Sequence, residues 1–400
     1  MKASFLKIAG IQALAAVLLF EVIGGVFYKN ALRSLYYYYH HFHVLGKEIP
    51  RGNGYPKYYF SRNATRGFDI AKNASPTLAA LPYEANASPI WGNEIGCYDN
   101  SVSSGEYKVY LGGDSFTWGF AEFNQKFGTL LENKLQEGVL KCGVTHTGQI
   151  HQYEKFKEIT KILGYIPKLV IVTVYLNDIA DDFSHPHSTV HDGYLIDTSS
   201  WIKQGDDNYR ATNASQEEIE KEYNSRFPTS SSNIHQIVRK FDPRVMSATA
   251  VIGIEALKKL KNFRITSKWA RPASIDQTIN SVSHPKKGTG LGIYIKNSSY
   301  PIHAQFASRN REIIQQWIQD STDNNYHLVF AITNHFEPSY YDEFKAYIGL
   351  QGGTTWDFNT YLHDKKIKQH DLHWSRDGHW NRRGNQIFAD FLYSKSRENF

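Results

Sequence analysis

The sequence predicts an α/β protein built on a parallel sheet. Two apolar runs, Lys168–Tyr175 (KLVIVTVY) and Tyr326–Thr333 (YHLVFAIT), are nearly continuous, which is typical of strands buried on both faces of a sheet. Helical periodicity alternates with strand-like runs along the chain, and this alternation favours parallel strands with helices on the faces. A chain of 400 residues, 41% hydrophobic and 21% charged, is typical of a folded globular protein with a sizeable core.

Two shorter strands and several helices complete the predicted layers. Tyr107–Leu111 is a β-rich run that ends at two glycines, and Val139–Val144 has the composition of a second strand. Apolar residues recur at helical spacing in Lys126–Gln136, His151–Leu163 and Arg382–Ser394. We therefore interpret residues 106–400 as one domain.

Residues 184–300 break this alternation and are predicted to be a large helical and irregular insertion that covers or frames the site. A turn or hairpin is predicted at His191–Tyr194, and helices are predicted near Ser215–Asn224 and Asn233–Lys261. The glycine-rich segment Lys287–Gly292 has neither the preceding strand nor the spacing of a dinucleotide-binding loop. We therefore predict no cofactor.

The N-terminus predicts a membrane segment. Ile8–Tyr28 is apolar and long enough to span a bilayer, for which roughly 20 residues are needed. Its uncharged part, Ile8–Phe20, also has the length of a signal-peptide core, but no clear cleavage site follows. An uncleaved anchor over residues 1–28 is favoured over a cleaved signal segment, and both place the remaining chain outside the cytoplasm. Residues 29–105 show little periodicity and are predicted to be a juxtamembrane stalk and lead-in.

Composition narrows the possible partners. The net charge of +6 is scattered, and no run of Lys or Arg exceeds two residues, so a nucleic-acid-binding stripe is excluded. Aromatic residues make up 14% of the chain and can stack on sugar rings or pack in the core. Cys97 and Cys142 are the two cysteines of the chain, so a cysteine-rich metal site is excluded and a disulfide is expected if the domain is exported. No histidine spacing indicates a metal.

A candidate nucleophile follows the first predicted strand of this domain. Ser115 lies in Gly112–Gly119 (GGDSFTWG), a glycine-flanked turn at the carboxyl end of a strand. Ligand sites of open α/β sheets lie at this edge, and a tight turn there exposes a hydroxyl beside backbone N–H groups. The same residue types also favour plain turns, so Gly-Asp-Ser alone does not establish a nucleophile.

The C-terminal segment provides a candidate base. A serine hydroxyl is a weak nucleophile and needs a base. His379 precedes the last predicted helix, and Asp377, two residues earlier, can hold the imidazole in one tautomer. Asn177 follows the strand Lys168–Tyr175 and can direct its amide N–H₂ at a developing oxyanion. A glycine in Cys142–Gly148 can bring a backbone N–H close to the same charge.

In chain order, the four blocks are Gly-Asp-Ser, Gly, Asn-Asp and Asp-x-His, each placed after a strand, and this ordered set resembles the conserved blocks of the SGNH (GDSL-like) hydrolases. The resemblance covers about 107–180 and 325–400 and implies a flavodoxin-like three-layer α/β/α fold. It implies Ser115 as nucleophile, His379 as base and Asp377 as the residue that orients it. The oxyanion donors would be the N–H of Ser115, the N–H of Gly148 and the side chain of Asn177. Asp-x-His followed by Trp-Asn looks most like the membrane-associated branch that includes polysaccharide O-acetylation proteins.

The predicted function is an extracytoplasmic serine esterase or acyltransferase that acts on O-acyl, most simply acetyl, esters of carbohydrate. The alternative is a catalytically silent SGNH-like module that binds glycans or takes part in envelope assembly. Three residues depart from the family pattern: Lys141 stands where Asn is frequent, His146 where Gly is common, and Leu176 where Gly often precedes Asn-Asp. The departures in the second block motivate the alternative. The sequence leaves open the substrate, the choice between hydrolysis and transfer, and the oligomeric state.

Overall fold

A computed structural model of the chain describes most of the predicted domain. The segments it describes are 55–80, 87–102, 106–175, 177–197, 199–203, 209–213, 215–226, 301–333, 338–374 and 377–397. Within these segments, no helix is long and apolar enough to cross a membrane. The predicted anchor, Ile8–Tyr28, lies outside the described residues.

Strands and helices of two to 23 residues make up the described structure. The strands are β1 (Phe60–Asn63), β2 (Gly67–Ile70), β3 (Thr77–Ala80), β4 (Ala87–Ile90), β5 (Tyr107–Gly112), β6 (Gly138–Lys141), β7 (Leu169–Val174), β8 (Ser188–His191), β9 (Tyr194–Asp197), β10 (Ser199–Lys203), β11 (Tyr209–Asn213), β12 (His327–Ile332), β13 (Thr354–Asp357), β14 (His373–Trp374) and β15 (Asp377–Trp380). The helices are α1 (Ser115–Trp118), α2 (Phe127–Leu135), α3 (Gln149–Leu163), α4 (Asp178–Phe183), α5 (Gln216–Arg226), α6 (Pro301–Asp323), α7 (Pro338–Leu350), α8 (Phe358–Asp364) and α9 (Arg382–Ser396).

Five parallel strands form the central sheet, in the order β13-β12-β7-β5-β6. Counted along the chain, this is the 2-1-3-4-5 order of flavodoxin-like folds. The sequence-based prediction of a parallel α/β sheet is therefore confirmed. Because the order reverses between β5 and β7, the connections that follow these two strands leave the sheet in opposite directions and open a crevice at its carboxyl edge.

The two faces of the sheet have separate cores. Side chains alternate along each strand, so that Val170 and Val172 of β7 belong to one core and Ile171 between them to the other. The first core is closed by α3, α6 and α7, and the second by α2, α8 and α9. Trp317 fills the first core and Trp380 the second, and both are almost completely buried. The domain therefore has three layers, with a helix layer on each face of the sheet.

The described part of the lead-in is more regular than the sequence predicts. Within 55–80 and 87–102, β1 pairs with β2 and β3 pairs with β4, both antiparallel. Buried Tyr59, Phe68 and Trp118 belong to one aromatic cluster, which joins these hairpins to α1. The lead-in is thus regular over these residues, although the sequence there shows little periodicity. Four-residue strands give too short an alternation to be recognised, and their regularity depends on packing against the domain.

Buried charges fix the β1–β2 hairpin to α3. Asp69 accepts hydrogen bonds from Lys155 and from Arg66, the latter at 2.6 Å, and all three side chains are at most 10% exposed. Arg66 also bonds Glu158 at 2.6 Å. Burial raises the pKa of Asp69, but the positive charges around it, led by Lys155, more than offset this and lower it overall. Removing one partner of such a network leaves an unpaired buried charge, which costs about 3–5 kcal/mol.

A disulfide links the lead-in to the sheet. Cys97 and Cys142 are bonded, with their Cα atoms 4.6 Å apart, and the closed loop spans 45 positions. Cys142 directly follows β6, whose neighbour β5 leads to α1. The bridge therefore holds the lead-in beside the carboxyl edge of the sheet.

The first part of the predicted insertion forms short hairpins. The turn predicted at His191–Tyr194 is confirmed, because β8 and β9 pair across Asp192 and Gly193, both of which have positive φ. β10 pairs with β11, and α5 follows them. The predicted helix Asn233–Lys261 and the glycine-rich segment Lys287–Gly292 lie outside the described residues.

We expect His151→Gln to reduce the loss of stability on acidification. His151 of α3 is 1% exposed, and its Nε2 lies 2.9 Å from the carbonyl of Phe68. Burial lowers the pKa of His151 well below its ordinary value, so the folded chain keeps the ring neutral while the unfolded chain protonates it. A lowered histidine pKa favours unfolding below about pH 6.5, by about 1.4 kcal/mol per pH unit.

The measurement is the free energy of unfolding in urea at pH 7 and pH 5. The pH-dependent loss should be about 2 kcal/mol smaller in His151→Gln than in the wild type, since glutamine does not titrate. His363→Gln serves as the control, because the His363 side chain is 91% exposed. An equal pH dependence in wild type and His151→Gln would contradict this account.

Candidate active site

The turn between β5 and α1 presents Ser115 at the carboxyl edge of the sheet. Gly113 has φ +141°, and a Cβ there would lie 2.0 Å from Thr173 Oγ1 and 2.2 Å from Thr117 Oγ1. The two hydroxyls are themselves 2.5 Å apart and connect α1 to β7. Only glycine fits at position 113. The chain can therefore turn within two residues from the end of β5 at Gly112 to the start of α1 at Ser115.

Asp114 caps α1 and lies beside the Ser115 hydroxyl. It is the N-cap of α1, and its Oδ1 accepts the N–H of Phe116 at 2.9 Å. Its Oδ2 lies 3.4 Å from Ser115 Oγ. Burial raises the pKa of Asp114, and the Phe116 N–H, His379, Ser115 and Asn177 each act to lower it. The capping role of Asp114 was not predicted, although an aspartate just before a helix is the sequence signature of an N-cap.

His379 reaches Ser115 from the far end of the chain. Its Nε2 lies 2.8 Å from Ser115 Oγ, within hydrogen-bond distance and across 264 positions of sequence. The imidazole packs between the rings of Phe116 and Phe120, whose centroids are 5.1 Å and 4.3 Å away. The structure thus brings the predicted nucleophile and the predicted base together.

The β14–β15 ribbon holds His379 in this position. Trp374 of β14 donates its indole N–H to the carbonyl of Phe120 at 3.2 Å, and His373 Nδ1 bonds the carbonyl of Gly378. Asp377 lies in β15 opposite Trp374, and its side chain lies outside what the structure describes. The role predicted for Asp377 therefore stays a prediction.

Asn177 lies at the end of β7, next to Asp114. Its Nδ2 donates to Asp181 Oδ2 at 2.9 Å, and its side chain also forms a hydrogen bond that favours the charged form of Asp114. The predicted oxyanion donor therefore lies beside Asp114, and its side-chain amide bonds carboxylates there. Leu176, one of the departures from the family pattern, lies outside the described residues.

Gly148 is the N-cap of α3, so its N–H lies at the positive end of a 15-residue helix. A Cβ at Gly148 would lie 2.3 Å from Asp182 Oδ1 and 2.5 Å from the carbonyl of Asp178. Its φ of −93° needs no glycine, so the constraint is space. Gly143 is also constrained by space, because a Cβ there would lie 2.6 Å from the backbone nitrogen of Trp118.

Two departures from the family pattern have structural explanations. His146 has φ +56°, the left-handed conformation that glycine adopts most easily. Lys141 is buried, with Nζ at 2.9 Å from Asp99 and 2.8 Å from Glu132, so its charge is paired away from Ser115. Neither residue displaces a group of the predicted site.

Buried carboxylates lie behind Gly148 and Asn177. Asp178 Oδ2 accepts the N–H of Tyr175 at 3.0 Å and the amide of Gln149 at 2.6 Å. Burial and the neighbouring Asp114 raise the pKa of Asp178 well above its ordinary value. Burial likewise raises the pKa of Asp182 to about 7, although the N–H of Ile150 and other hydrogen bonds favour its charged form. These carboxylates connect the turn after β7 to the start of α3.

The arrangement has the parts of an acyl-transfer site. A hydroxyl lies within proton-transfer distance of an imidazole, and an amide side chain follows β7 while a helix N-terminus follows β6, the two strands that flank β5. Among the described residues, no group of three or more His, Cys, Asp or Glu side chains could hold a metal ion.

Comparisons with known proteins give distant structural likenesses. No protein-family model matches the chain, and no curated protein matches it. The chain is similar to a structure from Desulfitobacterium hafniense DCB-2 described as a lipolytic protein of the G-D-S-L family, with 11% identity, a TM-score of 0.34, and coverage of 72% of this chain and 99% of that one. It is also similar to a structure from Bacteroides ovatus ATCC 8483 described as a GDSL-like lipase, with 10% identity, a TM-score of 0.28, and coverage of 74% and 100%.

Proposed function

We propose that the chain is a serine esterase or O-acyltransferase of the SGNH type, acting outside the cytoplasm on O-acyl esters of carbohydrate. The observation that carries this proposal is the 2.8 Å contact between Ser115 Oγ and His379 Nε2. A serine becomes a useful nucleophile when a base accepts its proton, and an imidazole at this distance can do so.

The reaction begins with attack of Ser115 Oγ on the ester carbonyl. The hydroxyl proton passes to His379 Nε2 as the Oγ–C bond forms, and the carbonyl oxygen becomes an oxyanion. The N–H groups of Ser115 and Gly148 and the amide of Asn177 are the proposed donors to this oxygen. When the intermediate collapses, the C–O bond to the sugar breaks and the departing sugar oxygen takes this proton from His379.

The second half-reaction repeats these steps with another acceptor. Water or a sugar hydroxyl gives its proton to His379, attacks the acyl carbonyl and releases Ser115. Asp377, as the third member of the proposed triad, would hold the imidazole in one tautomer and stabilise imidazolium. Hydrolysis and transfer share the acyl-Ser115 intermediate and differ in the acceptor alone.

The aromatic content of the chain, 14%, supports carbohydrate as the substrate class. Tyr55 packs edge-on against Trp118 of α1, with centroids 5.5 Å apart, and both are buried in the core, whereas Tyr58 in the same segment as Tyr55 is 64% exposed and can meet a ligand. Aromatic rings with polar tips suit the alternating apolar and hydroxyl faces of sugars. The predicted anchor and the disulfide both agree with a compartment outside the cytoplasm.

A catalytically silent binding module is the second candidate. The observation that favours it is the position of Asn177, whose amide nitrogen bonds Asp181. A fluorophosphonate probe separates the two candidates, because it labels a serine only where base and oxyanion donors act together. Labelling of Ser115 supports the enzyme, whereas glycan binding without labelling supports the module.

We expect Ser115→Ala to abolish hydrolysis of p-nitrophenyl acetate by the full chain. Loss of the nucleophile removes the acyl-enzyme route, and His379→Asn should cost about as much in kcat, since the two groups act as a unit. Ser394→Ala is the matched control, because Ser394 lies in α9 and bonds the carbonyl of Phe391. Equal rates for wild type and Ser115→Ala would overturn the proposed function.

We expect Asn177→Ala to lower kcat by about 10²–10³-fold, the usual cost of one oxyanion donor. KM should change little, because the donor acts mainly on charge that develops in the transition state. Steady-state rates on p-nitrophenyl acetate measure both constants. Asn324→Ala, at the exposed end of α6, should change neither. A rise in KM with unchanged kcat would assign Asn177 to substrate binding instead.

We expect an acyl group on Ser115 during turnover. Acid quenching in the steady state, followed by mass measurement of the peptide that contains Ser115, should detect the adduct and identify the acyl group of a carbohydrate donor. Added sugar acceptors that speed the loss of the adduct indicate transfer. An adduct on another residue, retained in Ser115→Ala, would contradict the assignment.

A further inference from the structure

A buried polar network connects α6 to the start of α3. Asn310 of α6 donates through Nδ2 to Gln149 Oε1 at 2.5 Å and to Asp182 Oδ2 at 2.6 Å. Asp182 Oδ1 accepts the N–H of Ile150 at 2.8 Å. Asn310, Gln149 and Asp182 are fully buried. Asn310 belongs to neither of the regions that resemble SGNH hydrolases, 107–180 and 325–400.

Asn310 donates both hydrogens of its side-chain amide. An asparagine Nδ2 carries two hydrogens, and both of those of Asn310 have acceptors in this network. The bond to Gln149 Oε1 directs the nitrogen of that side chain to Asp178, where it donates at 2.6 Å. Leucine and aspartate cannot replace these two donors, although both have nearly the same shape as asparagine.

The network encloses Gly148 from two sides. Asp182 Oδ1 and the Asp178 carbonyl occupy the space that a Cβ of Gly148 would need, at 2.3 Å and 2.5 Å. The neighbouring residues Gln149 and Ile150 are each held by a hydrogen bond to a carboxylate of α4. The backbone position of Gly148 at the start of α3 is therefore fixed by groups that Asn310 holds in place.

We infer that Asn310 is a positioning residue that aligns the Gly148 N–H as an oxyanion donor through Asp182 and Gln149. The inference rests on the proposed function for its effect on catalysis. Its structural part concerns the start of α3 and is independent of the substrate. A displacement of a reacting or stabilising group by about 1 Å can cost 10²-fold in rate, so loss of this alignment should lower kcat.

The test compares Asn310→Leu with Tyr347→Phe in the full chain. Tyr347 of α7 donates to the carbonyl of Arg311, so its removal also costs α6 one hydrogen bond but leaves the network intact. Asn310→Leu should lower kcat on p-nitrophenyl acetate about tenfold to hundredfold, with KM within about twofold. Amide hydrogen exchange in the peptide over 146–153 should become about tenfold faster or more. Tyr347→Phe should change neither quantity.

A swap of the two side chains checks that the effect passes through Asp182. Asp182→Asn and Asn310→Asp should each lower kcat, because the first places an amide nitrogen against Asn310 Nδ2 or the Ile150 N–H and the second puts two carboxylates together. The double variant restores a donor and an acceptor between positions 182 and 310 but not the bond to Gln149, so its kcat should exceed that of Asn310→Asp at least about fivefold. Additive losses in the double variant would overturn the inference.

Ester hydrolysis and amide hydrogen exchange together distinguish a failure of the proposed function from a failure of the inference about Asn310. If wild type and Ser115→Ala hydrolyse the ester equally, the proposed function fails, and hydrogen exchange alone decides the inference. Faster exchange over 146–153 in Asn310→Leu, absent in Tyr347→Phe, supports it. Unchanged exchange overturns it, as does a lower melting temperature with unchanged kcat.

Discussion

The hydrogen bond between Ser115 and His379 depends on the parallel sheet. Parallel strands all end at one edge, so a residue after β5 and a residue near the C-terminus can meet there across 264 positions. β14 and β15 lie outside the central sheet and carry His379 to this edge. Trp374 fixes the ribbon to Phe120, just beyond α1, so the base is anchored to the loop that follows its own partner. The contact is thereby held from both ends.

Burying carboxylates at this edge of the sheet costs free energy, which hydrogen bonds to the charged form must offset. Asp114 and Asp182 are completely buried and Asp178 nearly so, and burial raises the pKa of each. Each nevertheless accepts a backbone N–H near the start of a helix or a turn, which favours the charged form. Buried polar groups of this kind stabilise one arrangement only when all of them have partners. The site therefore obtains its geometry from hydrogen bonds that would be lost together.

Local patterns predict the proposed catalytic residues better than the residues that hold them in place. Ser115, Asn177 and His379 follow strands or precede a helix in short, recognisable blocks, and the structure brings them to one edge. Asn310 has no such pattern, because its partners Gln149 and Asp182 lie 161 and 128 positions away and meet it only after α6 packs. The lead-in hairpins escaped prediction for the same reason, since four-residue strands are regular only against the aromatic cluster around Trp118.

Under the proposed function, the choice between hydrolysis and transfer must lie beyond the Ser115–His379 pair, because both reactions would use it identically. Phe116 and Phe120 cover the imidazole with aromatic rings, which limits the directions from which an acceptor can approach it. Phe120 in turn packs on Trp118, the residue that joins α1 to the lead-in hairpins. Water needs little room, whereas a sugar acceptor must fit between these rings and the surrounding surface. Under the proposed function, acceptor selection would therefore depend on the lead-in and its aromatic cluster as well as on the central fold.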